Sequence, residues 1–222
     1  LHHTGHRQRL RERFIRGGDT ALNDYELLEL LLFGANPRAD MKPLAKDLLQ
    51  EFGSLTGVIN ADHAALLKIN GVGETAIAIL KAVQATMTRA LREQIMQKPI
   101  LSSWTQVLEY CRLSMGYLKQ EQLRLLFLDC KNCLIADEVQ QTGTINHTPV
   151  FPREVVKRAL ELGSSAIILV HNHPSGDPSP SAEDIEMTKH IRNVSTPLGI
   201  LLHDHIIIAK TRHYSFKTEG LL

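Results

Sequence analysis

Apolar positions in residues 1–98 recur every three to four residues, the period of helices that bury one face. Arg7 to Arg16 reads as a basic helix with Leu10, Phe14 and Ile15 as its apolar positions. Asn23-Asp24 predicts the cap of a second helix, because a short polar side chain can accept the first free amides. That helix carries Tyr25, Leu27, Leu28, Leu30, Leu31, Leu32 and Phe33 and stops at Gly34. Asp40 to Phe52 is amphipathic through Leu44, Leu48, Leu49 and Phe52, and Gly53 ends it. Short helices are expected around 55–59 and 62–67. A Gly71-Val72-Gly73 turn then leads into a long helix from about Glu74 to Glu93. No strand pattern occurs in this half.

After Pro99 the period changes. A helix over 104–115, assignable to either half, precedes Leu123 to Leu128, a strongly apolar strand. Lys131-Asn132 reads as a turn before a second strand, 134–139, and Pro152 opens a helix running to about Leu162. Ala166 to Val170 is wholly apolar, as in a strand buried on both faces. A Pro/Ser/Gly loop, Pro174 to Pro180, leads to a helix from Ser181 to about Val194 and a last strand, Ile200 to Ile208. The expectation is an α+β chain, all-helical over 1–98 and mixed strand and helix over 99–222.

Composition adds limits. The 222 residues are 43% hydrophobic and carry 25 Lys plus Arg against 24 Asp plus Glu, a net charge of +1. That balance excludes a polycation binding nucleic acid by bulk charge. The charge is unevenly placed: 13 cations face 11 anions over 1–98, and 12 face 13 beyond. Five of the cations lie between Arg7 and Arg16. Three cysteines make no disulfide framework, which points to a reducing compartment. No apolar run approaches the roughly 18 residues of a membrane span, and no signal-peptide pattern appears. A cytoplasmic protein without a membrane partner is expected.

The densest chemistry runs from His171 to Asp184. Histidines at 171 and 173 leave a strand on the same side and can reach one ion. Asp184 falls in the first turn of the next helix, where the macrodipole favours a carboxylate. Two imidazoles and a carboxylate suit zinc, with a fourth position left for water, as in catalytic sites. The metal would lower that water's pKa to about 7 and polarise a carbonyl or phosphoryl oxygen. Ser181 to Asp184 is also a plausible capping box.

His171-x-His173, seven residues, Ser181, two residues and Asp184 match the signature of JAMM (MPN+) metalloproteases. The surrounding sequence resembles the RadC group of that superfamily. The matching pieces are Gly5-His6-Arg7, Leu126-Phe127-Leu128-Asp129, Thr142-Gly143-Thr144-Ile145-Asn146, Pro152-Arg153-Glu154 and the loop from His171 to Ser181. The resemblance implies an α/β/α JAB1/MPN-type, cytidine-deaminase-like domain after a helix-hairpin-helix domain. It also implies zinc held by His171, His173 and Asp184, with Ser181 donating to the developing oxyanion. A Glu at the head of the first strand would be the general base. Glu121 fits, 50 residues before His171, with alternation placing it on the face of Leu123, Leu125 and Phe127. A solvated strand-end acid is the competing reading, and Glu109, Glu138 and Glu154 are rival carboxylates.

The resemblance thus implies a zinc hydrolase cleaving an amide, peptide or isopeptide, in a DNA-repair-associated family. A phosphodiester substrate and a non-catalytic repair scaffold are the alternatives. His203-Asp204-His205 lacks a downstream carboxylate at a fitting spacing and reads as strand. Cys130-Lys-Asn-Cys133 reads as a hairpin turn. Leu66 to Ala76 resembles a helix-hairpin-helix element, in which Lys68, Gly71, Val72 and Gly73 would meet DNA phosphates without reading sequence. A helical turn for protein docking is the competing reading, and Glu74 beside the turn disfavours phosphate.

Overall fold

The computed structural model describes residues 2–96, 98–143 and 151–222. Residues 1–87 and 88–222 form two compact units.

Six helices make up the first part of the chain: α1 (His2–Gly17), α2 (Asp24–Leu32), α3 (Lys42–Phe52), α4 (Leu55–Asn60), α5 (His63–Leu67) and α6 (Glu74–Met96). Their ends follow local chemistry. Ser54 Oγ accepts from Gly57 N, Asp62 Oδ1 accepts from Ala65 N, and Gly53, at φ 78°, stops α3 in the left-handed region. Leu10, Leu28, Leu32, Leu44, Leu48, Leu66, Val72, Ala76 and Leu80 fill the core of this unit. Each fully buried leucine contributes about 1.5–3 kcal/mol. Gly5-His6-Arg7 acts structurally here. His6 Nε2 lies 2.9 Å from the buried Glu29, and Arg7 Nη2 donates to Asn36 O and Ala39 O at 2.6 and 2.5 Å.

Glu26 ties α2 to α1: it accepts from Asn23 N at 3.0 Å and pairs with Arg13. Burial raises its pKa, but the Arg13 and Asn23 hydrogen bonds outweigh that and hold it below 4.5. A depressed carboxylate stabilises the fold above its unfolded pKa and loses that contribution as pH falls through the folded value. This contribution to the helical unit is therefore lost in acid, and Glu26→Gln is expected to flatten that acid dependence in thermal melts followed by circular dichroism.

The second unit is a five-stranded mixed sheet with helices on both faces. Its strands are β1 (Gln122–Leu128), β2 (Leu134–Thr142), β3 (Ala166–Asn172), β4 (Leu201–Ala209) and β5 (Arg212–Ser215), in the order β2-β1-β3-β4-β5. Only β3 and β4 are parallel among these pairs. The helix α9 (Ala182–Ser195) connects them. On one face α7 (Trp104–Met115) packs Val107, Cys111 and Met115 against Leu126, Ile168, Val170 and Ile206. On the other, α8 (Pro152–Glu161) and α9 cover Leu125, Phe127, Ile167 and Leu169. Strand β5 has no apolar alternation and was not expected; it is held by pairing with the edge of β4.

The Cys130–Cys133 turn is as expected. Asp129 Oδ1 accepts from Lys131 N and Cys133 N, Asn132 sits at φ 61°, and the cysteines are unpaired. Thr144, Ile145 and Asn146 lie outside the described residues. Among the described residues, no helix is long and apolar enough to cross a membrane.

Candidate metal centre

Strand β3 is buried along its whole length and ends in His171 and Asn172. Pro174 then turns the chain away, and a turn with Gly176 at φ 87° carries the backbone back past His173. There Gly176 N donates to His173 O, and Arg212 Nη2 donates to Gly176 O at 2.8 Å. The loop ends at Ser181, the N-cap of α9, and Asp184 is the third residue of that helix. One ligand atom each from His171, His173 and Asp184 lies within 4.8 Å of the others. The strand end and the helix start thus bring together the three residues proposed from spacing.

Their hydrogen bonds define which atoms are left over. His173 Nδ1 lies 2.8 Å from Asp177 O, a carbonyl that can only accept, so Nδ1 carries a proton and Nε2 points inward. The His171 and His173 Nε2 atoms face each other at 2.9 Å. Asp184 Oδ2 accepts from Ser181 N and Ser181 Oγ, each at 2.8 Å, while Asp184 N donates to Ser181 Oγ at 3.1 Å. The capping box is therefore present alongside the cluster. Asp184 Oδ1 is buried with no hydrogen-bond partner, 3.3 Å from His171 Nε2. Two facing ring nitrogens and an orphaned carboxylate oxygen form a donor set that calls for a cation, and the residues fit zinc.

Electrostatics agree. Burial raises the Asp184 pKa, but the adjacent imidazoles of His171 and His173 outweigh it and hold the carboxyl far below its usual range. The Asp184 carboxylate beside it raises the pKa of His173 against the opposing effect of burial. His171 and Asp184 are sealed from solvent, whereas the His173 side chain is 14% exposed, so the cluster opens on that side.

Glu121 immediately precedes β1, in which Leu123 pairs with His171. Extending that antiparallel register by two residues sets Glu121 opposite His173, and its charge raises the His173 pKa. Its carbonyl accepts from Gly143 N at 2.8 Å. The rival carboxylates are occupied or remote. Glu138 is bound by Arg158, Glu154 pairs with Arg153, and Glu109 lies on α7, across the sheet from the histidines.

Two groups of residues escaped the sequence reading. Asn172, the middle residue of His-x-His, is fully buried. It donates to Leu118 O and Gln120 O and accepts from Gln122 N at 2.9 Å, bracketing Glu121. Its signal was the motif's own central position. His205 is a strand residue and not one of the three clustered residues, as read from the sequence, but its contacts were not legible there. Its Nε2 lies 2.7 Å from His171 Nδ1, and its Nδ1 lies 2.6 Å from Thr188 Oγ1. A register shift explains the miss. Ile167 pairs with Leu202 but Ile168 with Asp204, so a bulge at His203 puts Leu202 and His205 on one face and breaks the period of two. His203 instead donates from Nε2 to Asn132 Oδ1 at 2.5 Å. Burial, the largest cause, pushes the His205 pKa well down.

In the helical unit, the proposed hairpin is a tight turn. Val72 N donates to Ile69 O at 3.1 Å, Gly71 adopts φ 90°, and the Val72 side chain is buried. Lys68 and Gly73 are exposed, and Glu74 pairs with His63 at 3.0 Å. Of the arginines on α1, Arg7 and Arg11 lie over Phe33, while Arg9, Arg13 and Arg16 line a groove with Glu12.

Residues 101–221 match the RadC-like JAB domain family and residues 1–78 match the UPF0758 N-terminal family. The chain belongs to the RadC-like JAB domain family. It is 57% identical over 213 residues to a UPF0758 protein of Rhodobacter capsulatus, covering 96% of this chain and 100% of that one. It is 54% identical over 217 residues to a UPF0758 protein of Ruegeria pomeroyi, covering 98% and 97%. In this RadC-like chain the His-x-His, Ser and Asp positions of the motif converge at one end of the JAB sheet.

Proposed function

We propose that this chain is a JAMM-type hydrolase that holds one zinc ion through Nε2 of His171, Nε2 of His173 and the carboxylate of Asp184, and cleaves an amide bond with water. The observation that carries this reading is the orphaned Asp184 Oδ1, 3.3 Å from His171 Nε2, which itself faces His173 Nε2 in a nearly sealed site. A zinc ion there supplies a Lewis acid that brings a water's pKa to about 7 and polarises a carbonyl oxygen. Glu121, opposite His173, accepts the proton that the attacking water gives up and returns it to the leaving amine. Ser181 has one hydroxyl proton, now donated to Asp184 Oδ2. Turned toward the substrate, it donates to the charge developing on the carbonyl oxygen. Asn172 holds the backbone on both sides of Glu121.

The test is incubation of the zinc-loaded protein with peptides, isopeptide-linked peptides, and branched, single-stranded and duplex DNA. Cleavage of an amide with DNA left intact is expected. Cleavage of DNA alone would make the chain a nuclease. Cleavage of neither, with cellular phenotypes unchanged by Glu121→Gln and Ser181→Ala, would make it a scaffold.

The helical unit supplies a DNA contact in the same proposal, with Lys68 and the amides of Gly71 and Gly73 in the turn around Val72 meeting phosphates without sequence preference. Lys68→Ala weakens duplex binding equally across sequences and lowers the salt slope by about one. Gly71→Ala strains a backbone held at φ 90°, by about 1–2 kcal/mol, and weakens binding further. Unchanged affinity of both variants in fluorescence anisotropy at low salt removes the hairpin from the account.

A further inference from the structure

Asp184 belongs to the cluster twice, once through its carboxylate and once through its backbone carbonyl. Thr188, one turn further along α9, lies 2.5 Å from Asp184 O through Oγ1. A carbonyl oxygen has no proton to give, so the single hydroxyl proton of Thr188 is donated there. The 2.6 Å contact between Thr188 Oγ1 and His205 Nδ1 is then made by a proton on Nδ1. A neutral imidazole protonated at Nδ1 presents a lone pair at Nε2. His205 Nε2 therefore accepts from His171 Nδ1 at 2.7 Å, and neutral His171 has its own lone pair at Nε2. That atom faces His173 Nε2 and Asp184 Oδ1.

We infer that Thr188 and His205 are positioning residues that lock His171 in the Nδ1-protonated tautomer, with its Nε2 lone pair aimed at the metal position. The relay closes a ring through Asp184 carbonyl, Thr188, His205, His171 and back to the Asp184 carboxylate. It joins α9, β4 and β3. The His205 ring is fixed by burial and by Phe216, which stacks on it with centroids 4.5 Å apart and planes 21° from parallel. Metal-binding histidines commonly donate to a carboxylate, a carbonyl or water, partners that fix ring orientation. Here a neutral imidazole serves, which orients His171 without adding a second negative charge to the buried site.

The inference rests on the zinc reading, and its test separates the two. Zinc affinity is measured by competition with a chromogenic chelator for wild type, His205→Leu, His205→Gln, Thr188→Val and Thr188→Ser. Nitrogen-15 spectra of the zinc-free wild-type protein report the histidine tautomers. His205→Leu and Thr188→Val are expected to bind zinc about 10–100-fold more weakly. His205→Gln keeps an acceptor toward His171, and Thr188→Ser keeps the hydroxyl, so both stay near wild type. The spectra are expected to show His171 and His205 protonated at Nδ1. Should His205→Leu fail to fold, the Thr188→Val and Thr188→Ser pair decides. Zinc binding by Thr188→Val equal to wild type, or His171 protonated at Nε2 alone, overturns the relay. A wild-type protein with the expected tautomers that binds no zinc overturns the metal reading and leaves the hydrogen-bond relay standing.

Discussion

Zinc raises the melting temperature of the wild-type chain by about 5–10 °C, and His171→Ala abolishes the rise. A ligand at a hundred times its dissociation constant stabilises the folded state by about 2.7 kcal/mol. For a chain of this size each kcal/mol is worth about 2–4 °C. His171 sits at the centre of the cluster, fully buried, with one ring nitrogen on His205 and the other facing His173 and Asp184. Alanine removes a ligand atom and leaves His205 Nε2 without its partner, so the metal-free variant is also less stable, by about 1–3 kcal/mol. Ser181→Ala is the contrasting variant. It deletes the hydroxyl that caps α9, costing about 1 kcal/mol, yet leaves all three ligand atoms in place. Its zinc-induced rise in melting temperature stays close to that of wild type. A rise that persists in His171→Ala places the ion elsewhere.

Glu121→Gln lowers the rate of amide hydrolysis by about 10²–10⁴-fold, the usual contribution of a general base. Its zinc content stays at the wild-type level, because Glu121 is not among the three residues of the cluster. The substitution keeps the side-chain length and the backbone bond from Gly143, so the head of β1 is undisturbed. Initial rates on a cleaved peptide, set beside zinc content of the same preparation, make the measurement. Glu138→Gln is the matched control. That carboxylate accepts from Arg158 at 2.6–3.0 Å and is held below its usual pKa, with the Arg158 hydrogen bond as the main cause. Its loss affects stability and leaves the rate near wild type. Full activity in Glu121→Gln would assign the proton transfer to another group.

Much of this architecture could be read from residues whose effects are local. Asp62, Ser54 and Gly53 mark helix ends through bonds within a few residues, and the all-apolar Ala166–Val170 run marks a doubly covered strand. The metal cluster was readable for the same reason: a strand end, a short loop and a helix start hold His171, His173 and Asp184 within 14 positions. What escaped depends on partners distant in sequence. Strand β5 exists because β4 offers it an edge. His205 faces the site because a bulge at His203 shifts the register of β4 against β3, and no pattern of two predicts a bulge. The bonds of Asn172 to residues 118, 120 and 122 cross some fifty positions of chain.

His171, His173 and Asp184 are proposed to form a zinc site. Diffraction from crystals of the zinc-loaded protein, collected on both sides of the zinc absorption edge, tests it most directly. One anomalous peak per chain is expected, between Nε2 of His171, Nε2 of His173 and the carboxylate of Asp184. No peak there, or a peak at Cys130 and Cys133 instead, would contradict that proposal.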